Sequence, residues 1–157
     1  MTLPRFFLIV VALFSSGFFS MWAADSKLRV ELAWGTDGVR PESKEGKEMA
    51  ELDTKAREKL RHLRWKNYWV VKAKTLVVDS KESQRVTLDR CLVDLKAAAG
   101  GQIEVRLNSA VGGKEPKLIK TVLHSIEALK RGEFLILAGD DKEKWDDAWF
   151  VIIRSEP

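Results

Sequence analysis

Cysteine and histidine are scarce in this chain, and so is every residue pattern that organises chemistry around them. Among 157 residues there is one cysteine and there are two histidines. Cys91 alone cannot close an internal disulfide, so the fold must rest on its core. In Leu88-Asp-Arg-Cys-Leu-Val-Asp-Leu95 the thiol reads as a small buried hydrophobe pointing into a sheet, against the alternatives of a nucleophile or an intermolecular bridge. His62 and His124 lie far apart, without the Cys-x-x-Cys or His-x-x-x-His spacing of a zinc site. No serine or cysteine occupies a Gly-x-Ser-x-Gly turn, and no glycine loop is built to cradle phosphate. The sequence therefore offers no catalytic residue, no metal ligand and no cofactor, and leans away from an enzyme.

Charge is nearly absent from the first two dozen residues. Arg5 precedes an apolar run from Phe6 to Phe19, which dissolves into Ser20-Met-Trp-Ala-Ala24 before ordinary charge density begins at Asp25. This is the layout of a cleavable signal peptide over residues 1–24, with Ala23 and Ala24 suiting a signal peptidase. Met21 or Trp22, two residues ahead of the cut, is larger than that enzyme prefers. The competing reading is an uncleaved membrane anchor of about the right length. Ser15, Ser16, Gly17 and Ser20 thin the hydrophobicity of the run and favour cleavage. The expected setting is the periplasm or the outside of the cell. No cysteine follows the run, which excludes a lipid-anchored cysteine.

Removing the leader takes away one positive charge and leaves 26 Lys and Arg against 23 Asp and Glu, a net of +3. Residues 25–157 are long enough to bury a core as a single domain. Five of the seven phenylalanines belong to the leader, so tryptophan is the unusual residue of the mature domain: Trp34, Trp65, Trp69, Trp145 and Trp149.

Period-two alternation dominates. Leu28, Val30, Leu32 and Trp34 alternate with Lys27, Arg29 and Glu31, the pattern of a half-buried strand. Met49, Leu52, Ala56, Leu60 and Leu63 recur at three- and four-residue steps, predicting one amphipathic helix over about residues 45–63. Its acidic residues gather toward the N-terminal half, and Lys55, Arg57, Lys59, Arg61 and Arg64 occupy its other faces. From Tyr68 to Val78 the composition is that of a strand. Further strands are expected at Gln84–Leu88, Cys91–Lys96, Gln102–Ser109, Lys117–His124, Glu133–Ala138 and Ala148–Arg154. Gly100-Gly101 and Gly112-Gly113 read as hairpin turns. The last two strands are apolar at consecutive positions, which demands cover on both faces and predicts central places. The expected fold is mainly β with one amphipathic helix, an antiparallel β-sandwich or partly open barrel.

Few features of this pattern point to a ligand. Asp140, Asp141, Asp146 and Asp147 offer oxygens to a cation, but Lys142 and Lys144 oppose it and the spacing is not that of an EF-hand, so a solvated loop is preferred. The basic helix face reads as the wet side of an amphipathic helix, with Glu51, Asp53 and Glu58 interleaved. Trp34 and Trp149 follow their strands' apolar phase and belong to the core. Trp65, Tyr68, Trp69 and Trp145 are less constrained and form the candidate ligand-binding set, on the chemistry of indoles stacking against sugar rings, with packing as the competing role.

Three segments, Glu31-Leu-Ala-Trp-Gly-Thr-Asp37, Leu63-Arg-Trp-Lys-Asn-Tyr68, and Gly132-Glu-Phe-Leu-Ile-Leu-Ala-Gly-Asp-Asp141 with Ala148-Trp-Phe-Val-Ile-Ile-Arg154, together resemble a group of small exported bacterial proteins of uncharacterised activity. The resemblance implies a bacterial envelope setting and an intact domain, and it carries no residue role. The leading expectation is a non-catalytic domain acting by protein–protein contact in the envelope, with a glycan-binding module second and an enzyme third. Its partner is expected to be an envelope protein or polysaccharide, not nucleic acid, with membrane contact only through an uncleaved leader.

Overall fold

The computed structural model describes residues 26–38, 49–79, 81–110, 115–139 and 147–156. The first strand, β1 (Ser26–Thr36), puts Leu28, Val30 and Leu32 on one face, all fully buried, as their alternation requires. It pairs antiparallel with β3 (Asn67–Val78) on one side and β9 (Ala148–Ser155) on the other. The two-residue β2 (Ala50–Glu51) and the short β8 (Leu135–Ala138) complete a five-stranded sheet in the order β2-β3-β1-β9-β8. The second sheet is a meander of β4 (Gln84–Leu88), β5 (Cys91–Ala98), β6 (Gln102–Ser109) and β7 (Lys117–Ser125) in sequence order. Every described strand pair is antiparallel.

The sheets face each other across a core built from alternate residues of both. Leu28, Val30, Leu32, Val151 and Ile153 from the first meet Val86, Val93, Leu95, Ile103, Val105 and Leu107 from the second. The expected β-sandwich is thus the observed arrangement. Gly100 and Gly101 carry φ of 72° and 71° in the tight turn between β5 and β6, a conformation that costs glycine little. Gly112 and Gly113 lie outside the described residues.

The helix is shorter than its apolar period predicts. Among the described residues of that span only α1 (Thr54–Lys59) is helical, because Ala50 and Glu51 pair with β3 and Asp53 then caps the helix, its carboxylate accepting the Ala56 N–H at 3.0 Å. Residues 45–48 of the predicted helix lie outside the described residues. A second helix, α2 (Ile126–Lys130), capped by Ser125, carries the chain from β7 toward β8 and buries Ile126, Ala128 and Leu129. Five residues are too few to display a helical period, so on sequence the segment reads as the connection between the strands Lys117–His124 and Glu133–Ala138.

The predicted central place of the last two strands holds for β9 and not for β8, which is an edge. Both are nevertheless covered on both faces. The segment carrying Leu52, Ala56 and Leu60 lies on the outer face of the five-stranded sheet and forms a second core with Ala33, Tyr68, Phe150 and Ile152. This third layer explains the consecutive apolar residues of β9: Trp149, Val151 and Ile153 enter the sandwich, while Phe150 and Ile152 enter the outer core.

The outer layer also buries a charge. Glu31, expected on a polar face, is 2% exposed. Its Oε1 accepts from Arg29 Nε at 2.7 Å and from Arg154 Nη2 at 3.3 Å. Arg154 Nη1 in turn meets the carboxylate of Asp53, the helix cap.

Candidate binding surface at the tryptophan-rich end

Pairing places the end of β1 at Thr36, the start of β3 at Asn67, the end of β8 at Ala138 and the start of β9 at Ala148 at one end of the first sheet. The β4–β5 turn, the end of β6 and the start of β7 share one end of the second. The Arg90 guanidinium from that turn lies 4.9 Å from the centroid of the Trp34 ring, so the two ends coincide. The described tryptophans collect here.

They divide between the two sides of the first sheet: Trp34, Trp69 and Trp149 stand on its strands, whereas Trp65 lies in the segment before β3. On the sandwich side, Trp69, Trp34 and Trp149 are direct cross-strand partners, a row of three indoles over β3, β1 and β9. Trp149 is buried, whereas Trp34 and Trp69 are half-buried. A Cβ on Gly139 would fall 1.9 Å from the Trp149 ring, so the backbone there rests directly on the indole, with the Gly139 N–H donating to the Trp149 carbonyl at 3.0 Å. Asp89, with φ of 29°, makes the β4–β5 turn in two residues and sets Arg90 over Trp34. The Arg90 carbonyl is anchored by the Ala110 N–H at 2.9 Å.

On the outer side, Trp65 meets Phe150 edge to face at 5.7 Å between centroids, and Tyr68 meets the same ring at 6.3 Å. Gly35 permits this closure: a Cβ there would lie 3.0 Å from Tyr68, 3.2 Å from Phe150 and 3.4 Å from Trp65. Tyr68 is buried, and its hydroxyl donates to the Leu60 carbonyl at 3.3 Å. Burial, aided by Asp37, pushes the phenol pKa up. The Arg64 guanidinium lies 5.2 Å from the Trp65 centroid.

The candidate set from the sequence is therefore not a single platform. Trp65 and Tyr68 share the outer core, Trp69 stands on the opposite side, and Trp145 lies outside the described residues, as do Asp140, Asp141 and Asp146. The structure adds Trp34 and Arg90. The signal for Arg90 was the two-residue gap between the strand patterns ending at Leu88 and starting at Cys91, which forces a tight turn.

The remaining reactive groups are not brought together. His62 is exposed in the turn after α1, where Arg61 Nε donates to its Nε2 at 3.3 Å. His124 is half-buried on β7 opposite Ile103. Among the described residues neither imidazole bonds a carboxylate, and no cluster of three or more His, Cys, Asp or Glu could hold a metal ion. Cys91 is fully buried, and burial, reinforced by Asp89 against a smaller opposing effect of Arg90, pushes its thiol up to about 12.

The fold defines an antiparallel two-sheet sandwich with a third layer laid over one sheet. Comparison with protein-family models, curated proteins and solved structures returns no match.

Proposed function

We propose that this is an exported, non-catalytic β-sandwich, one of a group of small bacterial envelope proteins, and that it works by protein–protein contact through its tryptophan-rich end. The observation that carries the reading is Arg90 held over Trp34 in a row of three indoles. Tryptophan and arginine are the residues that most often dominate binding energy at protein interfaces. A guanidinium already stacked on a half-buried ring forfeits little freedom when a partner arrives. The leader pattern supports export.

Sugar binding has less support because four of the described aromatic rings are covered on at least one face or buried. Arg90 covers Trp34, Arg64 covers Trp65, the Gly139 backbone covers Trp149, and Tyr68 is buried. The test is affinity isolation of the full chain from cells after in-situ cross-linking, with protein and polysaccharide both quantified, for the natural chain and Arg90→Glu. The expected result is a defined protein whose yield falls roughly 10-fold or more in the variant. Recovery of polysaccharide without protein, or of proteins indifferent to Arg90, would overturn the proposal.

A further inference from the structure

Positive charge is concentrated on one exposed ridge. Residues 54–66 carry Lys55, Arg57, Lys59, Arg61, Arg64 and Lys66 against Glu58 alone, a net of +5 where the whole chain has +4. All other residues together are slightly acidic. The reason the ridge faces outward is local: Ala56 and Leu60 are committed to the outer core with Tyr68, Phe150 and Ile152, which leaves the remaining sides of α1 and its following turn in water. All six cationic side chains are exposed. Two of their ion pairs, Arg57 with Glu51 at 3.7 Å and Arg61 with Glu58 at 3.8 Å, are long and solvent-exposed, so they neutralise little of the field.

The ridge also has an apolar tip. Leu63, part of the predicted helical stripe, escapes the core and is 40% exposed in the turn that follows α1, where its N–H donates to the Leu60 carbonyl at 2.9 Å. Two residues on, Trp65 is half-buried, its ring beside Arg64. We infer that residues 54–66 form a docking surface for an anionic lipid bilayer, with the cations held at the headgroups and Leu63 and the rim of Trp65 entering the interfacial zone. Charge complementarity selects an anionic partner. The apolar tip selects lipid over a soluble polyanion, because leucine and tryptophan gain from leaving water at a bilayer surface, where long cationic side chains still reach headgroups. This surface is separate from Arg90 and does not depend on the protein-contact reading.

The test is co-sedimentation of the exported full chain with vesicles of phosphatidylcholine alone or with about one-third phosphatidylglycerol, typical of surface-charge assays. A retained leader would bind both kinds, whereas the ridge distinguishes them. The natural chain should bind the anionic vesicles ~100-fold or more tightly, falling with salt. Lys55→Gln/Lys59→Gln/Arg61→Gln should lose roughly 5-fold per charge removed. Leu63→Ser should weaken binding several-fold and leave the salt dependence intact, and brominated phosphatidylglycerol should quench tryptophan emission. Thermal melts of both variants check that they remain folded, which exposed positions permit. Equal binding to both vesicle types, or no loss in the folded triple variant, would overturn the inference. So would normal binding by Leu63→Ser with full competition from inorganic polyphosphate, the pattern of a simple polyanion site.

Discussion

Cys91 pairs with Leu88 across a two-residue turn and turns its thiol into the sandwich. In the unfolded chain that thiol ionises near 9, whereas in the fold it keeps its proton to about 12. A raised pKa on an acid stabilises the fold fully below the unfolded value and is lost as pH climbs through the folded value. Between pH 9 and 12 the natural chain should therefore lose stability more steeply than Cys91→Ala, and below pH 8 their pH slopes should coincide. Urea midpoints across that range check this, and equal slopes for the two chains would refute it. The core role of this cysteine was legible from its place in an alternating pattern, as was that of Trp149, whereas Trp34 keeps the apolar phase but is only half-buried against the core. Tyr68 and Trp69, grouped in one set on sequence, are split because neighbours in a strand face opposite ways. The stacking of Arg90 on Trp34 was not legible, because it joins strands from different sheets.

At the scale of elements, α1 is fastened to the sheet by a chain of charges. Asp53 both starts the helix and holds Arg154, and Arg154 also holds Glu31, which sits beneath the outer layer. Arg29 still holds Glu31 at 2.7 Å when Arg154 is removed, so Arg154→Ala should cost about 1.5–3 kcal/mol by chemical denaturation, the range of a hydrogen bond to a charged group. Glu31→Leu/Arg154→Met should recover most of that loss, since well-packed apolar replacements of a buried pair are commonly neutral or better. A cost below ~1 kcal/mol for Arg154→Ala would mean that Arg29 alone holds Glu31 and that Arg154 fastens nothing. Sequence patterning put Glu31 on a wet face because one strand shows only its own alternation. The hint lay elsewhere, in the doubly apolar β9, whose outward-facing Phe150 and Ile152 required a cover that β1 shares. The same cover shortened the helix: Leu52, Ala56 and Leu60 keep their stripe, but Asp53 interrupts it with a cap.

Across the whole molecule, two open flanks are defended in the same way: that of β7, the edge of its sheet, and that of β3 beyond the two residues that β2 covers. On β3, Lys72 and Lys74 stand opposite Leu32 and Val30 on the sandwich side, next to a bulge at Val71. On β7, Lys120 stands opposite Leu107, next to a bulge at Ile119. An inward-facing lysine beside a bulge makes pairing with another chain unfavourable. Lys72→Val/Lys74→Val/Lys120→Val should therefore self-associate, visible by light scattering as a larger mean mass than that of the natural chain at the same concentration. A variant that keeps the mean mass of the natural chain would refute this role. Two antiparallel sheets were legible from strand spacing, but their order was not, since alternation reveals which face is buried and never which strand lies beside it. The gathering of connections at one end has a consequence for how the domain tolerates change. The opposite end closes β5 to β6 with a turn of two positive-φ glycines and seals the sandwich with α2. Length added between Thr36 and Ala50, Ser109 and Lys117, or Ala138 and Ala148 would start and finish at the strand ends that carry the indole row. Descendants of this fold can therefore acquire new specificities by lengthening one rim, while the sheets that carry it keep their register.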